Sequence, residues 1–122
     1  SNIRVVEADV RVVLDTIPAG RLNGVRTFFP DPWPKKRHHR RRLITQTFAD
    51  ALAERVTIGG FWHLATDWPE YATAINEAVE QCAQWSGGAI ERPEWRPLTR
   101  YERRGLAAGR EPIDMWFERV DT

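Results

Sequence analysis

Two kinds of apolar pattern alternate along the chain. Short runs rich in β-branched or aromatic residues predict strands, whereas apolar residues that recur every three or four positions predict helices. The strand-like segments are 3–7, 25–29, 61–65 and 113–120, and in the last of these Met115 and Phe117 alternate with polar positions. The helix-like segments are 10–17, 41–55 and 67 to about 84. Strands that alternate with helices predict an α/β fold, in which helices cover the faces of a sheet.

Glycine and proline mark the expected ends of these elements. The pair Gly59-Gly60 is expected to end the helix over 41–55. The prolines of Asp31-Pro32-Trp33-Pro34 keep that loop out of a helix. After Gly87-Gly88 the pattern is less regular, and 99–104 is interpreted only as a polar segment.

Three aspartates, Asp9, Asp31 and Asp67, directly follow predicted strands. In open α/β sheets ligands bind beyond the carboxyl ends of the strands, so these side chains are candidates for binding. Aspartate is also a common helix cap, and Asp67 has capping-box spacing to Glu70. Position alone favours neither interpretation, and both stay open.

Positive charge is concentrated in one segment. The chain has 18 Lys and Arg against 17 Asp and Glu, but six of the basic residues lie within 35–42: Lys35, Lys36, Arg37, Arg40, Arg41 and Arg42. The remaining 12 basic against 17 acidic residues leave a balance of −5. Because like charges this dense repel one another, the segment is expected to bind RNA phosphates. A solvated helix start and a nuclear-localisation-like cluster are the alternatives.

Composition excludes several classes of protein. The single cysteine, Cys82, excludes a disulfide scaffold and a cysteine-built zinc site, and we expect it to be buried. His38 and His39 lie in a basic run that repels a cation, so no metal site is expected. No apolar run approaches the roughly 20 residues that span a bilayer, and the N-terminus has no signal-peptide pattern. A length of 122 residues suits one domain, and we expect a cytoplasmic protein.

The segment 28–43 joins a Phe-Pro-Asp-Pro-Trp loop directly to a stretch rich in Lys, His and Arg. This combination resembles the signature of bacterial tRNA (guanine-N7-)-methyltransferases. Weaker blocks follow in the family's order and extend the resemblance over essentially the whole chain: Gly59-Gly60, Ala65-Thr66-Asp67, Tyr71, Thr99-Arg100-Tyr101-Glu102, Arg104-Gly105, Gly109 and Phe117-Glu118-Arg119.

The resemblance implies a Rossmann-like class I methyltransferase fold. It also implies methyl transfer from S-adenosylmethionine to a guanine in the variable loop of tRNA. Asp9 and Asp31 match positions that contact the cofactor, and Asp31 also matches the active-site aspartate. The positions that match substrate contacts are Lys35, Asp67, Thr99, Arg100, Tyr101 and Glu102.

The family's glycine-rich cofactor loop has no counterpart in this sequence. The resemblance therefore implies the C-terminal portion of such an enzyme, with 1–122 as one partial domain that is inactive by itself. In that fold further strands lie between 3–7 and 25–29, so we expect the segment before about Val25 to be displaced or swapped, or the chain to dimerise along the exposed strand edge. A non-catalytic RNA-binding fragment that uses 35–42 is the main alternative, and a methyltransferase of another specificity is a third.

The chemistry of guanine N7 suits a carboxylate in this loop. N7 carries a lone pair and no proton, so methyl transfer needs alignment and electrostatics rather than an obligatory base. We hypothesise that Asp31 accepts hydrogen bonds from the guanine's Watson–Crick edge and favours the positive charge that methylation leaves. A plain turn residue before Pro32 is the alternative. For Trp33, stacking on a flipped-out base and packing under the loop both stay open.

Overall fold

The computed structural model describes residues 16–96 and 100–121. Within these residues the strands are β1 (Leu22–Phe28), β2 (Val56–Thr66), β3 (Trp85–Ile90) and β4 (Ile113–Arg119). The helices are α1 (Gln46–Arg55), α2 (Pro69–Glu80) and α3 (Arg100–Ala107), and a 3₁₀ helix covers Lys36–Arg41. The predicted strand at 3–7, Asp9, most of the predicted helix at 10–17 and Thr99 lie outside the described residues.

The described strands form a mixed sheet in the order β1-β2-β4-β3. β1 runs parallel to β2, whereas β4 is antiparallel to both β2 and β3. The predicted α/β class is therefore confirmed. Phe28 at the end of β1 lies opposite Ala65 near the end of β2. The two chain segments that follow these strands consequently leave the sheet at the same edge.

The apolar core lies between the sheet and helices α1 and α2. Trp62 and Leu64 of β2 lie opposite Phe117 and Met115 of β4, and none of the four is more than 1% exposed. The helices contribute further buried side chains to the same cluster: Phe48 and Leu52 from α1, and Tyr71, Ile75 and Val79 from α2. Each large side chain that is fully buried stabilises the fold by about 1.5–3 kcal/mol. This packing fixes the edge at which β1 and β2 end.

The predicted start of the helix over 41–55 is wrong by about one turn, because the observed helix begins at Gln46. α1 begins after Thr45, whose side chain accepts a hydrogen bond from the Phe48 N–H at 3.1 Å. A threonine that satisfies a free N–H in this way is a typical helix start. The basic residues before it form the separate 3₁₀ helix, which has no buried member. The side chains of this 3₁₀ helix therefore lie outside the apolar core.

Two glycine pairs lie inside strands and not, as predicted, at the ends of helices. Gly59-Gly60 belongs to β2, and a Cβ on Gly60 would lie 2.7 Å from the Asn23 carbonyl oxygen. Gly87-Gly88 belongs to β3, which the sequence pattern missed, and a Cβ on Gly87 would lie 2.0 Å from the Trp116 carbonyl oxygen. In both strands glycine permits a close approach of two backbones.

The last two helices also differ from the pattern. α2 begins at Pro69, and its N-cap residue, Trp68, makes no side-chain cap hydrogen bond. The predicted capping box is wrong, because the Asp67 carboxylate bonds to Arg110. α3 occupies the segment that was interpreted as polar and irregular, and Arg100 and Tyr101 form its first turn.

Candidate active site and the adjoining basic segment

The loop that carries Asp31 leaves the sheet at the end of β1. The Phe29 N–H donates to the Ala65 carbonyl oxygen at 2.7 Å, which ties the start of the loop to β2. Phe29 and Trp33 have positive φ angles, 53° and 40°. Such angles are unfavourable for bulky side chains and cost about 1–3 kcal/mol each. Asp31 lies between these two residues and is exposed at the carboxyl edge of the sheet.

Trp33 packs against the basic segment. Its ring lies edge-on to the His38 ring, with 5.8 Å between the centroids, and the Arg41 guanidinium lies 5.1 Å from its centroid. His39 Nε2 lies 3.3 Å from the Pro34 carbonyl oxygen. The half-buried Trp33 therefore has contacts on the 3₁₀ helix, and the loop and the basic segment form one unit.

Most of the basic side chains are exposed beside Asp31. Lys35, Lys36, Arg37 and Arg40 are exposed, and so is Arg41 around its contact with Trp33. The His38 N–H donates to the Lys35 carbonyl oxygen at 2.8 Å, which forms the 3₁₀ turn. The surface next to Asp31 is therefore strongly positive, as the sequence predicted.

Arg42 requires a correction, because it does not share this exposure. Its side chain is only 6% exposed and makes an ion pair with Glu70 of α2. Its Nε–H donates to the Pro32 carbonyl oxygen at 2.8 Å, and its guanidinium lies 4.6 Å from the centroid of the Tyr71 ring. The sequence grouped Arg42 with the phosphate-binding residues, whereas the structure turns it inward, towards the loop and α2.

Asp67 follows β2 and lies at the same edge of the sheet as the Asp31 loop. It is 1% exposed, and Arg110 Nε donates to its Oδ2 at 2.9 Å. The Arg110 guanidinium also lies 5.5 Å from the centroid of the Trp68 ring. A Cβ on Gly105 of α3 would lie 2.5 Å from Asp67 Oδ2, so the helix approaches the carboxylate very closely. The family resemblance predicted that Asp67 contacts substrate. In the structure its carboxylate is buried and bonds to Arg110.

Glu102 belongs to a buried polar network that the sequence pattern missed. Arg96 lies at its centre and donates to Asp114 Oδ2 through Nε at 2.8 Å and to Asp114 Oδ1 through Nη2 at 2.6 Å. Arg96 Nη1 donates to Glu102 Oε1 at 2.6 Å, and His63 Nε2 lies 2.6 Å from Asp114 Oδ2. All four residues are at most 2% exposed. Glu102, expected to contact substrate, is thus fully buried beside Arg96.

This network also touches the base of the Asp31 loop. The Arg96 guanidinium lies 5.5 Å from the Phe28 ring centroid and 5.8 Å from that of Phe29. Burial disfavours the charge on Arg96, but the hydrogen bonds to Asp114 and Glu102 outweigh it and raise the pKa of the guanidinium. The sequence contained one signal for Arg96 as a buried partner, because Asp114 lies among the apolar residues of β4. A buried carboxylate needs a counter-charge.

The structure therefore brings the predicted site residues into two groups. Asp31 and Lys35 lie in and next to the exposed loop, whereas Asp67 and Glu102 are buried carboxylates that pair with Arg110 and Arg96. In residues 16–96 and 100–121, no group of three or more His, Cys, Asp or Glu side chains is placed to hold a metal ion. No helix in that part of the chain is long and apolar enough to cross a membrane.

Comparison with known proteins identifies the family of this chain. Residues 1–115 match the model of a family described as putative methyltransferases, and the chain belongs to that family. The chain is also similar to proteins named tRNA (guanine-N(7)-)-methyltransferase. The one from Nitrosospira multiformis is 47% identical, with 98% of this chain and 54% of that protein covered. Those from Bordetella pertussis and Shewanella piezotolerans are 45% and 42% identical, with 98% of this chain and 49% and 53% of those proteins covered. The chain thus spans about half the length of the curated relatives it matches.

Proposed function

We propose that this chain forms the guanine-binding and tRNA-binding part of an S-adenosylmethionine-dependent tRNA guanine-N7 methyltransferase. The observation that carries the proposal is the exposed Asp31 on a strained loop at the carboxyl edge of the parallel pair β1 and β2. Family membership and the names of the relatives support the same class of reaction. With tRNA as its substrate, the whole protein would act in the cytoplasm.

Asp31 would orient the guanine. Its carboxylate accepts hydrogen bonds only, and the N1–H and N2–H groups of guanine are donors that a carboxylate can bind together. Methylation at N7 makes the purine positively charged, so a negative charge held nearby favours the transition state over the ground state. Because Asp31 lies between Pro30 and Pro32, whose φ angles are fixed, the carboxylate is presented with little freedom.

The cofactor would supply the methyl group. A sulfonium is a cation, and the exposed carboxylate of Asp31, bound to the guanine, would supply negative charge to the same site. Asp9, which also matches a cofactor position, lies outside the described residues. Since the relatives have about twice this length, we propose that the cofactor site is incomplete here. Titration of the 122-residue chain with S-adenosylhomocysteine is then expected to show no binding tighter than about millimolar, a value equivalent to about 4 kcal/mol.

The basic segment would bind the phosphates of tRNA beside the guanine. Five of its six basic side chains are exposed: Lys35, Lys36, Arg37, Arg40 and Arg41. Five phosphate contacts to a single-stranded segment predict that log K falls by about 3.5 for each tenfold rise in salt. Binding of RNA without catalysis is the second candidate function, and the concentration of exposed cations in one segment favours it.

A chimera separates the two functions. Residues 1–122 replace the matching segment of the Nitrosospira multiformis protein, which restores the length of the relatives. The chimera is incubated with a tRNA transcript and labelled S-adenosylmethionine, and the digested nucleosides are identified. The proposal expects label in 7-methylguanosine. Tight, salt-dependent tRNA binding by a chimera that incorporates no label into guanine would contradict methyl transfer and favour the second function. A transcript with adenosine in place of the variable-loop guanosine is the control.

A further inference from the structure

The Asp31 loop has a backbone that its own sequence does not favour. Phe29 and Trp33, at either end of the Pro-Asp-Pro segment, have φ angles of 53° and 40°. Bulky residues adopt such angles only when the surrounding structure holds them there. The Phe29 N–H bond to Ala65 holds the start of the loop. The middle of the loop, next to Asp31, needs a separate anchor.

Arg42 supplies a contact at that point. Its Nε–H donates to the carbonyl oxygen of Pro32, the residue directly after Asp31, at 2.8 Å. The other side of the guanidinium faces Glu70, where Nη1 donates to Oε1 at 3.2 Å and Nη2 pairs with Oε2. Glu70 lies in the first turn of α2. Arg42 therefore joins the middle of the Asp31 loop to a helix that the apolar core holds in place.

The surroundings of Arg42 fix its guanidinium further. The group lies over the ring of Tyr71, with 4.6 Å to the centroid, and the Tyr71 hydroxyl accepts a hydrogen bond from the Ile44 N–H at 3.3 Å. Tyr71 itself is 0% exposed. Only a planar fork can donate to a carbonyl oxygen on one side, bind a carboxylate on the other and stack on a ring. A lysine keeps the charge of Arg42 but loses this geometry.

We infer that Arg42 is a positioning residue that holds Asp31 in place for the reaction, and that it does not bind tRNA phosphates. This inference rests on the proposed function of Asp31. Arg42 is positively charged, like its five exposed neighbours in the basic segment. Its N–H groups, however, donate to Glu70 and to the Pro32 carbonyl oxygen inside the protein. Loss of the Arg42 fork is therefore expected to slow the chemical step, whereas loss of an exposed neighbour weakens tRNA binding.

Kinetics of the chimera separate these two roles. Arg42→Lys is expected to lower kcat by about tenfold or more, because small displacements of an aligned group cost about that much. The salt dependence of tRNA binding stays as in the unsubstituted chimera. Arg40→Gln, which removes an exposed cation, is expected to raise KM for tRNA and to lower the salt slope by about 0.7. The exposed Arg21, ahead of β1, serves as the matched control, and Arg21→Gln should change neither quantity.

A second measurement reports on the loop directly. In the 122-residue chain, Arg42→Lys is expected to speed hydrogen exchange of the Phe29 amide, which bonds to the Ala65 carbonyl oxygen, by about tenfold, whereas Arg40→Gln leaves it unchanged. If Arg42→Lys does not fold, Glu70→Gln replaces it. Glu70→Gln keeps the Arg42 bond to Pro32 but weakens the contact between Arg42 and residue 70. The loss of kcat and the rise in hydrogen exchange are therefore expected to be smaller than in Arg42→Lys.

Two outcomes overturn the inference. One is an Arg42→Lys chimera with unchanged kcat and a reduced salt slope, which would return Arg42 to the phosphate-binding residues. The other is unchanged exchange of the Phe29 amide in both Arg42→Lys and Glu70→Gln. A chimera that transfers no methyl group to guanine refutes the proposed function instead, and the exchange measurement then decides the role of Arg42 alone.

Discussion

The Arg96 guanidinium donates to both oxygens of the Asp114 carboxylate, through Nε at 2.8 Å and Nη2 at 2.6 Å, and neither residue is more than 2% exposed. Its remaining Nη1 bonds to the buried Glu102. A single cation thus compensates two buried carboxylates and links β4, α3 and the base of the Asp31 loop.

Substitution of Arg96 is expected to lower the free energy of unfolding strongly. Arg96→Met leaves Asp114 and Glu102 buried without their counter-charge, and breaking such a pair costs about 3–5 kcal/mol of unfolding free energy. Urea unfolding of the 122-residue chain measures the loss. Arg103→Met, at an exposed position of α3, is the control and should stay within about 0.5 kcal/mol. An Arg96→Met loss as small as the control's would show that the network is not a structural centre.

Gly105→Ala separates helix propensity from close packing. Alanine inside a helix is favoured over glycine by about 1 kcal/mol. At this position, however, the new Cβ would lie 2.5 Å from Asp67 Oδ2, so we expect a net loss of about 1–3 kcal/mol. Gly88→Ala is the control, because its Cβ would meet Asn76 Oδ1 at an ordinary 3.7 Å. Stabilisation of the chain by Gly105→Ala would contradict the close approach of α3 to Asp67.

Cys82 is expected to react slowly in the folded chain. The thiol is buried, as the sequence predicted, and burial followed by a hydrogen bond with Asp50 raises its pKa. Less thiolate is therefore present at neutral pH, and reagents reach it only through opening of the structure. Alkylation followed by mass spectrometry should be slow in buffer and fast in denaturant. In a chain that also carries Ala107→Cys, the exposed thiol on α3 should react first, and equal rates would contradict burial.

The Arg42–Glu70 pair predicts an acid-sensitive contribution to stability. The hydrogen bond from Arg42 lowers the pKa of Glu70 below its usual 4.5. Because the pKa of Glu70 is lower in the folded chain, the stabilisation by the Arg42–Glu70 pair is complete above pH 4.5. It is lost as the pH falls through the pKa of Glu70 in the folded chain. Because the Glu70 side chain is 61% exposed, the effect should be about 1 kcal/mol or less. Urea unfolding of Glu70→Gln should lack this loss between about pH 5 and pH 3, whereas Glu77→Gln on the same helix should retain it.

Periodicity was sufficient to predict the elements whose apolar residues lie on one side. The alternation of Met115 and Phe117 predicted β4, and the apolar stripe through Phe48 and Leu52 predicted α1, because these side chains all belong to the apolar core. The strand β3 was missed because glycine occurs in turns and also where two backbones approach closely, and only the neighbouring strand shows that Gly87 has the second role.

The site was predictable where local sequence determines it. The prolines and the dense charge placed the exposed Asp31 loop and its basic neighbours correctly. The burial and the ion pairs of Arg42 and Asp67 were not predicted, because their partners, Glu70 and Arg110, lie 28 and 43 residues away in the chain. Which of six adjacent cations turns inward depends on that distant carboxylate, and no local pattern encodes it.

The central claim is that Asp31 acts on the guanine that receives the methyl group. The most direct test is the rate of 7-methylguanosine formation by the chimera with Asp31→Asn, with Asp50→Asn at an exposed position of α1 as the matched control. The amide keeps the shape of the side chain but loses its charge, so we predict a rate lower by about a hundredfold, equivalent to about 2.7 kcal/mol, and an unchanged control. An Asp31→Asn rate within about twofold of the unsubstituted chimera, or about 0.4 kcal/mol, would contradict the claim.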